Sequence, residues 1–327
     1  MIKIAFWCNE LCERGSSIAV YDYAYYNQKI LGNKSYIFYE KNNNNNNQSV
    51  INKFKNEFDI FAADNFDDVD KYLIENDIHI IYISKSGSFD NKISKIANNV
   101  IHCVFNCNEP HGEVYTAVSS SVSNYNNNIS ILPHIVDLPY NEYNMRKELN
   151  IPEEATVFGR HGGKEQFDIR IVQEIIYNIA KSNPTIYFIF VNTNIFCERL
   201  SNIIHLDTII EPNLKRKFIN TCDAMIWGRS DGETFGLAIA EFSICNKPVI
   251  VTNIGFDAHY KILKDKGLWY STTDELVNQI KYIALTDKKE LQKKDWNAYK
   301  EYTPENVMKI FNKIVIMPFI EKLLIKN

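Results

Sequence analysis

Two glutamates, Glu233 and Glu241, stand in the run Asp231-Gly232-Glu233-Thr234-Phe235-Gly236-Leu237-Ala238-Ile239-Ala240-Glu241. Carboxylates accept hydrogen bonds from hydroxyl groups, and a ribose or sugar diol presents such donors in pairs. Residues 224–227 read as a strand, 228–234 as a polar, glycine-bearing loop, and a helix is expected from Gly236 onward. The unpaired N–H groups and positive dipole end of a helix start suit phosphate. Ser230, Thr234, Phe235 and Gly236 would line that seat, and Gly228 and Gly232 would let the backbone come close to a ligand. Glu241 would sit in an otherwise apolar helix, where a carboxylate needs partners. Spacing alone leaves a second reading open: a helix-start acid and an unrelated surface glutamate.

A second polar cluster, Gly159-Arg160-His161-Gly162-Gly163-Lys164, follows an expected strand at 156–159 and precedes an expected helix at 168–182. Two cations and adjacent glycines beside a helix start make a phosphate seat.

These loops must be positioned by the elements around them. In the first half, strands are expected at 3–7, 36–39, 59–62, 78–83, 100–105 and 129–132, with helical stretches at 18–31, 69–76 and 93–98. In the second half, strands are expected at 156–159, 185–192, 203–206, 224–227 and 248–252. Helices there are expected at 168–182, 214–220, 236–245, 273–285 and 288–301. Strands alternating with helices predict parallel sheets covered on both faces. The proline-bearing stretch 133–152 is the natural linker. The fold class expected is therefore α/β, with two doubly wound, Rossmann-like domains. Residues 1–138, completed by a last helix at 303–327, form the first domain, and 139–302 form the second. In such sheets ligands bind at the carboxyl ends of the strands. The six asparagines 42–47 read as a solvated loop with no catalytic value.

Bulk properties narrow the function class. With 327 residues there is material for two domains, and 45% apolar with 23% charged residues is a globular composition. A net charge of −4 gives no basic signature for nucleic acid. The seven cysteines are odd in number and irregularly spaced, which fits free thiols in a reducing, cytoplasmic compartment. No apolar run reaches the ~18 residues of a membrane span, and the N-terminal one is short for a signal peptide. The greasy stretch 314–320 reads as a core-packing helix, with peripheral membrane contact as the other reading.

The segment from Glu233 to Glu241, followed by Cys245-Asn246-Lys247-Pro248-Val249-Ile250-Val251-Thr252, resembles the retaining GT-B glycosyltransferases of family 4 (glycosyl transferases group 1). Those proteins carry two glutamates with seven residues between them, then a turn residue and a Pro-Val-Ile strand. Asn246 stands where the family usually has glycine. Gly159-Arg160…Lys164 is similar to the element whose Arg and Lys hold the donor diphosphate, and the last helix from Thr303-Pro304 is similar to the family's closing helix. The stretch 132–137 matches the family's linker only in part. The resemblance is strong over 156–310 and loose over 1–140.

The resemblance implies transfer of a sugar, with retention of configuration, from a nucleotide-diphosphate sugar to a glycan, lipid or protein-linked acceptor. It implies no cofactor and no metal. Glu233 would orient the donor sugar and Glu241 its ribose. Gly15 would occupy the place of the family's phosphate-approaching glycine loop, though a plain turn explains it as well. The histidine that the family places after the fifth strand has no match at Asn106, and His111 is the nearest candidate. Asp68-Val69-Asp70 matches a metal-binding pattern of another transferase fold but reads here as helix-start acids. The wording around Glu233 is similar to transferases of large DNA viruses and phages, which would put the protein in a host cytoplasm. A GT-B-fold epimerase and a non-catalytic nucleotide-sugar-binding module are the alternatives, since fold alone does not settle function.

Overall fold

The computed structural model describes residues 1–320. The chain divides into two units: Met1–Ile135 with the stretch from Glu301 onward, and Val136–Lys300. Between Ile131 and Thr156 there is neither helix nor strand, in keeping with the proline-rich stretch read there.

The first unit is built on seven parallel strands: β1 (Lys3–Cys8), β2 (Lys34–Glu40), β3 (Asp59–Ala63), β4 (Ile80–Lys85), β5 (Asn98–Cys103), β6 (Val114–Ala117) and β7 (Ser130–Ile131). Their order across the sheet is β3-β2-β1-β4-β5-β6-β7. Every residue of β4 is buried, as are Ile4 to Cys8 of β1. Continuous apolar strands of this kind belong to sheets covered on both faces. The covering helices are α1 (Gly15–Lys29), α2 (Gln48–Lys55) and α3 (Phe66–Glu75). Because β2 and β4 lie on opposite sides of β1, the strand order reverses between β1 and β4, the place where such sheets open a crevice.

The second unit repeats this plan. Its main sheet contains β8 (Thr156–Arg160), β9 (Ile186–Val191), β10 (Ile203–Leu206), β11 (Ala224–Ile226), β13 (Val249–Val251) and β15 (Gly267–Trp269), in the order β10-β9-β8-β11-β13-β15. Two short strands, β12 (Gly232–Glu233) and β14 (Phe256–Asp257), pair separately. Helices α4 (Arg170–Ser182), α5 (Pro212–Thr221), α6 (Leu237–Ile244), α7 (Ala258–Leu263), α8 (Thr273–Leu285) and α9 (Lys288–Lys293) complete it. The reversal now falls between β8 and β11. Start signals are written in the chain: Pro212 opens α5 behind Glu211, and Thr272 with Glu275 forms a capping box on α8.

A last helix, α10 (Pro304–Phe311), is capped by Thr303 and continues as a π-turn over Asn312–Ile316. Its Phe311 stacks on Phe6 and Tyr23 in the first unit's core. Val315, Ile316 and Phe319 are buried, so the greasy tail packs inward as far as it is described. The rest of the expected 303–327 helix, residues 321–327, lies outside the described residues.

Several expectations are corrected. Residues 93–98 are not a helix. Ser94 donates to Asp70, and the Asn99 side chain binds the backbone of Ser94 and Ala97. Such local side-chain bonds compete with the helix ladder. Helix α9 stops at Lys293 rather than 301, because Asp295 and Asn297 cap successive turns and Asn246 takes the Trp296 N–H. Helices α2 and α7 and strands β6 and β15 are additions. The asparagine run is more than a solvated loop: Asn47 caps α2, and Asn46 bonds the Leu11 N–H and the Glu40 carbonyl. Asp70 braces Ser94 and Lys95, and Asn65 caps the Asp68 N–H, so Asp68 and Asp70 serve the fold.

Candidate anion and diol site of the second unit

Arg160 ends β8 and Trp227 follows β11, so the two stand at the carboxyl end of one sheet on either side of its reversal point. Arg160 is 4% exposed. Its guanidinium donates to the Asn192 carbonyl at 3.2 Å, the Thr193 hydroxyl at 2.6 Å and the Gly163 carbonyl at 2.8 Å. It therefore shapes the loop that carries Lys164, and part of its donor set remains for a ligand. Burial draws its pKa down to about 10, still charged at neutral pH. Lys164 itself is exposed.

Glu233 is fixed by backbone geometry. Gly232 has φ +72° and Gly255 φ +69°. A Cβ on Gly232 would lie 2.3 Å from the Phe256 carbonyl oxygen, and one on Gly255 would lie 2.0 Å from the Asp231 carbonyl. Only glycine fits either place, so the pair permits the β12–β14 ladder that presents Glu233. The expected role of Gly228 and Gly232 in approaching a ligand is thus replaced by an internal one. Gly228 packs on Phe167, and its carbonyl takes the Asp168 N–H. The Glu233 carboxylate accepts from Trp227 Nε1 at 2.9 Å and lies 3.4 Å from Arg229. Arg229 is also 3.6 Å from Asp231, while its Nε is buried with no hydrogen-bond partner. A buried donor without a partner costs free energy unless a ligand meets it.

Gly236, at φ +86°, turns the chain into α6 without a side-chain cap, leaving the first N–H groups of the helix to other acceptors. Thr234 is half-buried in that turn. Phe235 faces the core instead, edge-on to Tyr299, whose hydroxyl binds the Phe235 carbonyl. Ser230 is tied to Asp168 through both its N–H, at 2.8 Å, and its hydroxyl. Asn246, standing where the family usually has glycine, has φ +54°, a left-handed turn that asparagine tolerates, and its side chain grips 292–296.

Glu241 is 5% exposed. One oxygen accepts from Lys215 Nζ at 2.7 Å, and the other lies 3.0 Å from His161 Nε2. Burial raises a carboxyl's pKa, but Lys215 and then His161 outweigh it and lower Glu241 to about 2. Burial lowers His161 although Glu241 opposes it. The result is a carboxylate ionised at neutral pH. Sequence reasoning passed over His161, Lys215, Trp227 and Arg229. His161 and Arg229 lie inside the quoted loops; Lys215 carried no signal, since helix α5 reads as a plain amphipathic helix.

The other two expected residues, Gly15 and His111, belong to the first unit. Gly15 is the first residue of α1. His111 lies beyond β5; its Nδ1 is 2.6 Å from the Glu109 carbonyl and its Nε2 is 3.5 Å from the buried Lys85 Nζ. An ammonium can only donate, so the geometry suits a neutral imidazole with its proton on Nδ1.

No protein-family model matches the chain, and no curated protein sequence matches it. Solved structures do. A glycosyltransferase from Rickettsia africae ESF-5 superposes with a TM-score of 0.70 at 14% identity, covering 97% of this chain and 99% of its own. HepE from Anabaena, in complex with UDP-glucose, gives 0.72 at 13% identity over 96% and 99%. WaaG, a glycosyltransferase of lipopolysaccharide biosynthesis, gives 0.66 at 11% identity over 96% and 100%. The fold is that of the GT-B glycosyltransferases.

Proposed function

We propose that the protein is a glycosyltransferase that moves a sugar from a nucleotide-diphosphate sugar to a hydroxyl acceptor, of the retaining, family 4 kind and without a metal. The observation that carries this reading is the set of groups at the reversal point between β8 and β11. Arg229 with an unmet N–H, Lys164 and the uncapped start of α6 favour an anion, and two glutamates lie beside them. The GT-B fold and the Glu233…Glu241 motif support it.

In this mechanism the bond between the anomeric carbon and the diphosphate breaks, and charge grows on the departing oxygens. Arg229, Lys164, the remaining donors of Arg160 and the α6 N–H groups stabilise that charge. The acceptor oxygen attacks from the same face, and its proton passes to a diphosphate oxygen. Glu233, held by Trp227, orients the sugar hydroxyls. Glu241, held ionised by Lys215 and His161, accepts from the ribose.

A panel of nucleotide sugars in a thermal-shift measurement tests this directly, with UDP-glucose as the first probe. A ligand at a hundredfold excess over its Kd stabilises by about 2.7 kcal/mol. One member should raise Tm, and the Arg229→Met variant should abolish that rise. Absence of any shift across the panel overturns the proposal. Donor consumption with no acceptor and no sugar released would place the protein among epimerases instead.

A further inference from the structure

The seven cysteines are all free thiols, and two of them stand together at the end of β5. Cys103 closes that strand and is fully buried, while Cys107, four residues on, is half-buried. The chain between them folds back on itself. The Val104 N–H donates to the Lys85 carbonyl at 3.0 Å, and the N–H groups of Phe105 and Asn106 both donate to the Ser86 carbonyl, at 3.0 and 2.9 Å. Gly87, at φ +125°, lets this turn close, since a Cβ there would lie 1.8 Å from the Asn106 carbonyl oxygen. The turn brings Cys107 back to Cys103, whose thiol hydrogen-bonds its sulfur.

We propose that Cys103 and Cys107 are an oxidisable pair that hydrogen peroxide converts to a disulfide, with Cys107 as the attacking thiol and Cys103 as the thiol that resolves it. Peroxide reacts with the thiolate, so environment sorts the roles. The hydrogen bond from Cys103 lowers the Cys107 pKa, against the opposing effect of its partial burial. The same bond, and then burial, raises Cys103, which keeps its proton until Cys107 has reacted. Lys85 stands opposite Cys103 in the β4–β5 ladder, and its charge favours the Cys103 thiolate in the second step. The other five cysteines are all raised, burial being the largest cause at each. Cys8 and Cys12 are the nearest rivals, each sulfur 3.7 Å from Ser17 Oγ. Both are buried, and burial pushes Cys8 up to about 12.

In the first step the Cys107 thiolate attacks a peroxide oxygen. The S–O bond forms, the O–O bond breaks, and the departing hydroxide takes up the proton that Cys107 gave away. In the second, Cys103 loses its proton and attacks the Cys107 sulfur. The S–S bond forms, the S–O bond breaks, and the hydroxide released takes that proton. Two thiols and one peroxide give one disulfide and two waters, two electrons passing from sulfur to oxygen.

The bridge acts on the loop that follows. Glu109 accepts the Phe89 N–H at 2.6 Å, and His111 lies between the Glu109 carbonyl and Lys85. Tyr115 donates to the Gly87 carbonyl at 2.7 Å, bonds the Cys103 sulfur and lies 5.5 Å from the His111 ring. Exchanging the Cys103 thiol for a covalent bond therefore reaches His111 through both Tyr115 and Lys85. The inference stands on thiol chemistry and does not depend on sugar transfer.

Peroxide treatment of the reduced full chain, followed by alkylation and peptide mapping without reductant, reads the pair. Free thiols should fall from seven to five, and dithiothreitol should restore seven. The tryptic fragment 96–146 holds Cys103 and Cys107 and no other cysteine, so it should lose two hydrogens. Cys107→Ser should keep its remaining thiols under the same treatment, whereas Cys12→Ser should lose two as the parent does. Cys103→Ser should stop at a Cys107 sulfenic acid that dimedone captures; the parent and Cys107→Ser carry the test even where this core variant does not fold. The His111 ring proton resonances should shift on oxidation and return on reduction. A bridge between Cys8 and Cys12 instead, oxidation of Cys107 to sulfinic acid in the parent without a bridge, or thiol loss in Cys107→Ser equal to the parent's would each overturn the pair. Unmoved His111 resonances would overturn its reach into the loop.

Discussion

The two units reverse strand order in the same way, yet their reversal points carry opposite electrostatic conditions. In the first unit, Lys92 follows β4 and bonds Asn9, which follows β1, at 3.3 Å and Glu40 at 2.9 Å. The buried Lys85 ends β4 and is paired with Asp90 and the Lys92 carbonyl. These two lysines are held by the protein's own acids, amide and carbonyl groups. In the second unit the Glu241 carboxylate is bonded by Lys215 at one oxygen and has His161 3.0 Å from the other, an oxygen left without an aligned hydrogen bond, while Arg229 keeps a buried N–H without a partner. The same topology therefore gives one crevice stitched by its own side chains and one with an unmet demand for an anion. Fold supplies the place, and the local balance of charge decides which unit would hold a diphosphate.

The sharpest way to break that comparison is at Glu241. Replacing it with alanine leaves the Lys215 ammonium, 8% exposed, without its partner. Removing one member of a buried pair costs about 3–5 kcal/mol. Glu241→Ala should therefore show a large fall in urea midpoint, and the double change Glu241→Leu with Lys215→Met should recover most of it. If the single variant unfolds with the parent, the pair is not the buried support described here. At a temperature where the variant stays folded, its donor KM should rise while the parent's does not.

Arg229 tests the functional half of the comparison. Arg229→Met should lower kcat/KM by about 100- to 1,000-fold, the usual cost of removing one preorganised charge-stabilising donor. The matching change in the first unit, Lys92→Met, removes an ion pair exposed by about a third on each side. It should lower kcat/KM less than about tenfold. Equal losses in the two variants would erase the distinction between the crevices.

Much of this was legible beforehand because the signals are local. Strand β10 and helix α8 fall where periodicity and capping residues place them, and Thr303 caps α10 as its sequence announces. Glu233, Arg160 and Gly236 could be singled out because each sits at a strand or helix end. What escaped depends on contacts distant in sequence. Lys215 meets Glu241 26 positions away, and Gly232 is required by Gly255 and Phe256 on another loop. Helix 93–98 was misread because its apolar spacing is helical, whereas Ser94 and Asn99 bind backbone groups that a helix would need.

The smallest effect separates the cores by pH. The first unit buries His134 and His102 beside Tyr23 and Tyr82. Burial lowers His134 to about 3, and burial followed by the neighbouring His134 lowers His102 well below the ordinary range. An unfolded histidine takes up its proton near pH ~6.5. Between about 6.5 and 3 the unfolded chain is therefore the better proton binder, so stability is full above that window and declines as pH falls through it. Glu241 behaves differently: its contribution is full above the unfolded carboxyl range and is lost only as pH falls toward about 2. At about pH 5 the His134 term should cost the first unit about 2 kcal/mol. Hydrogen exchange of β5 should accelerate by at least that amount between about pH 7 and 5, after correction for intrinsic rates, and His134→Phe should lessen the dependence while the share of buried His102 remains. An unchanged slope in that variant would move the acid sensitivity to other groups.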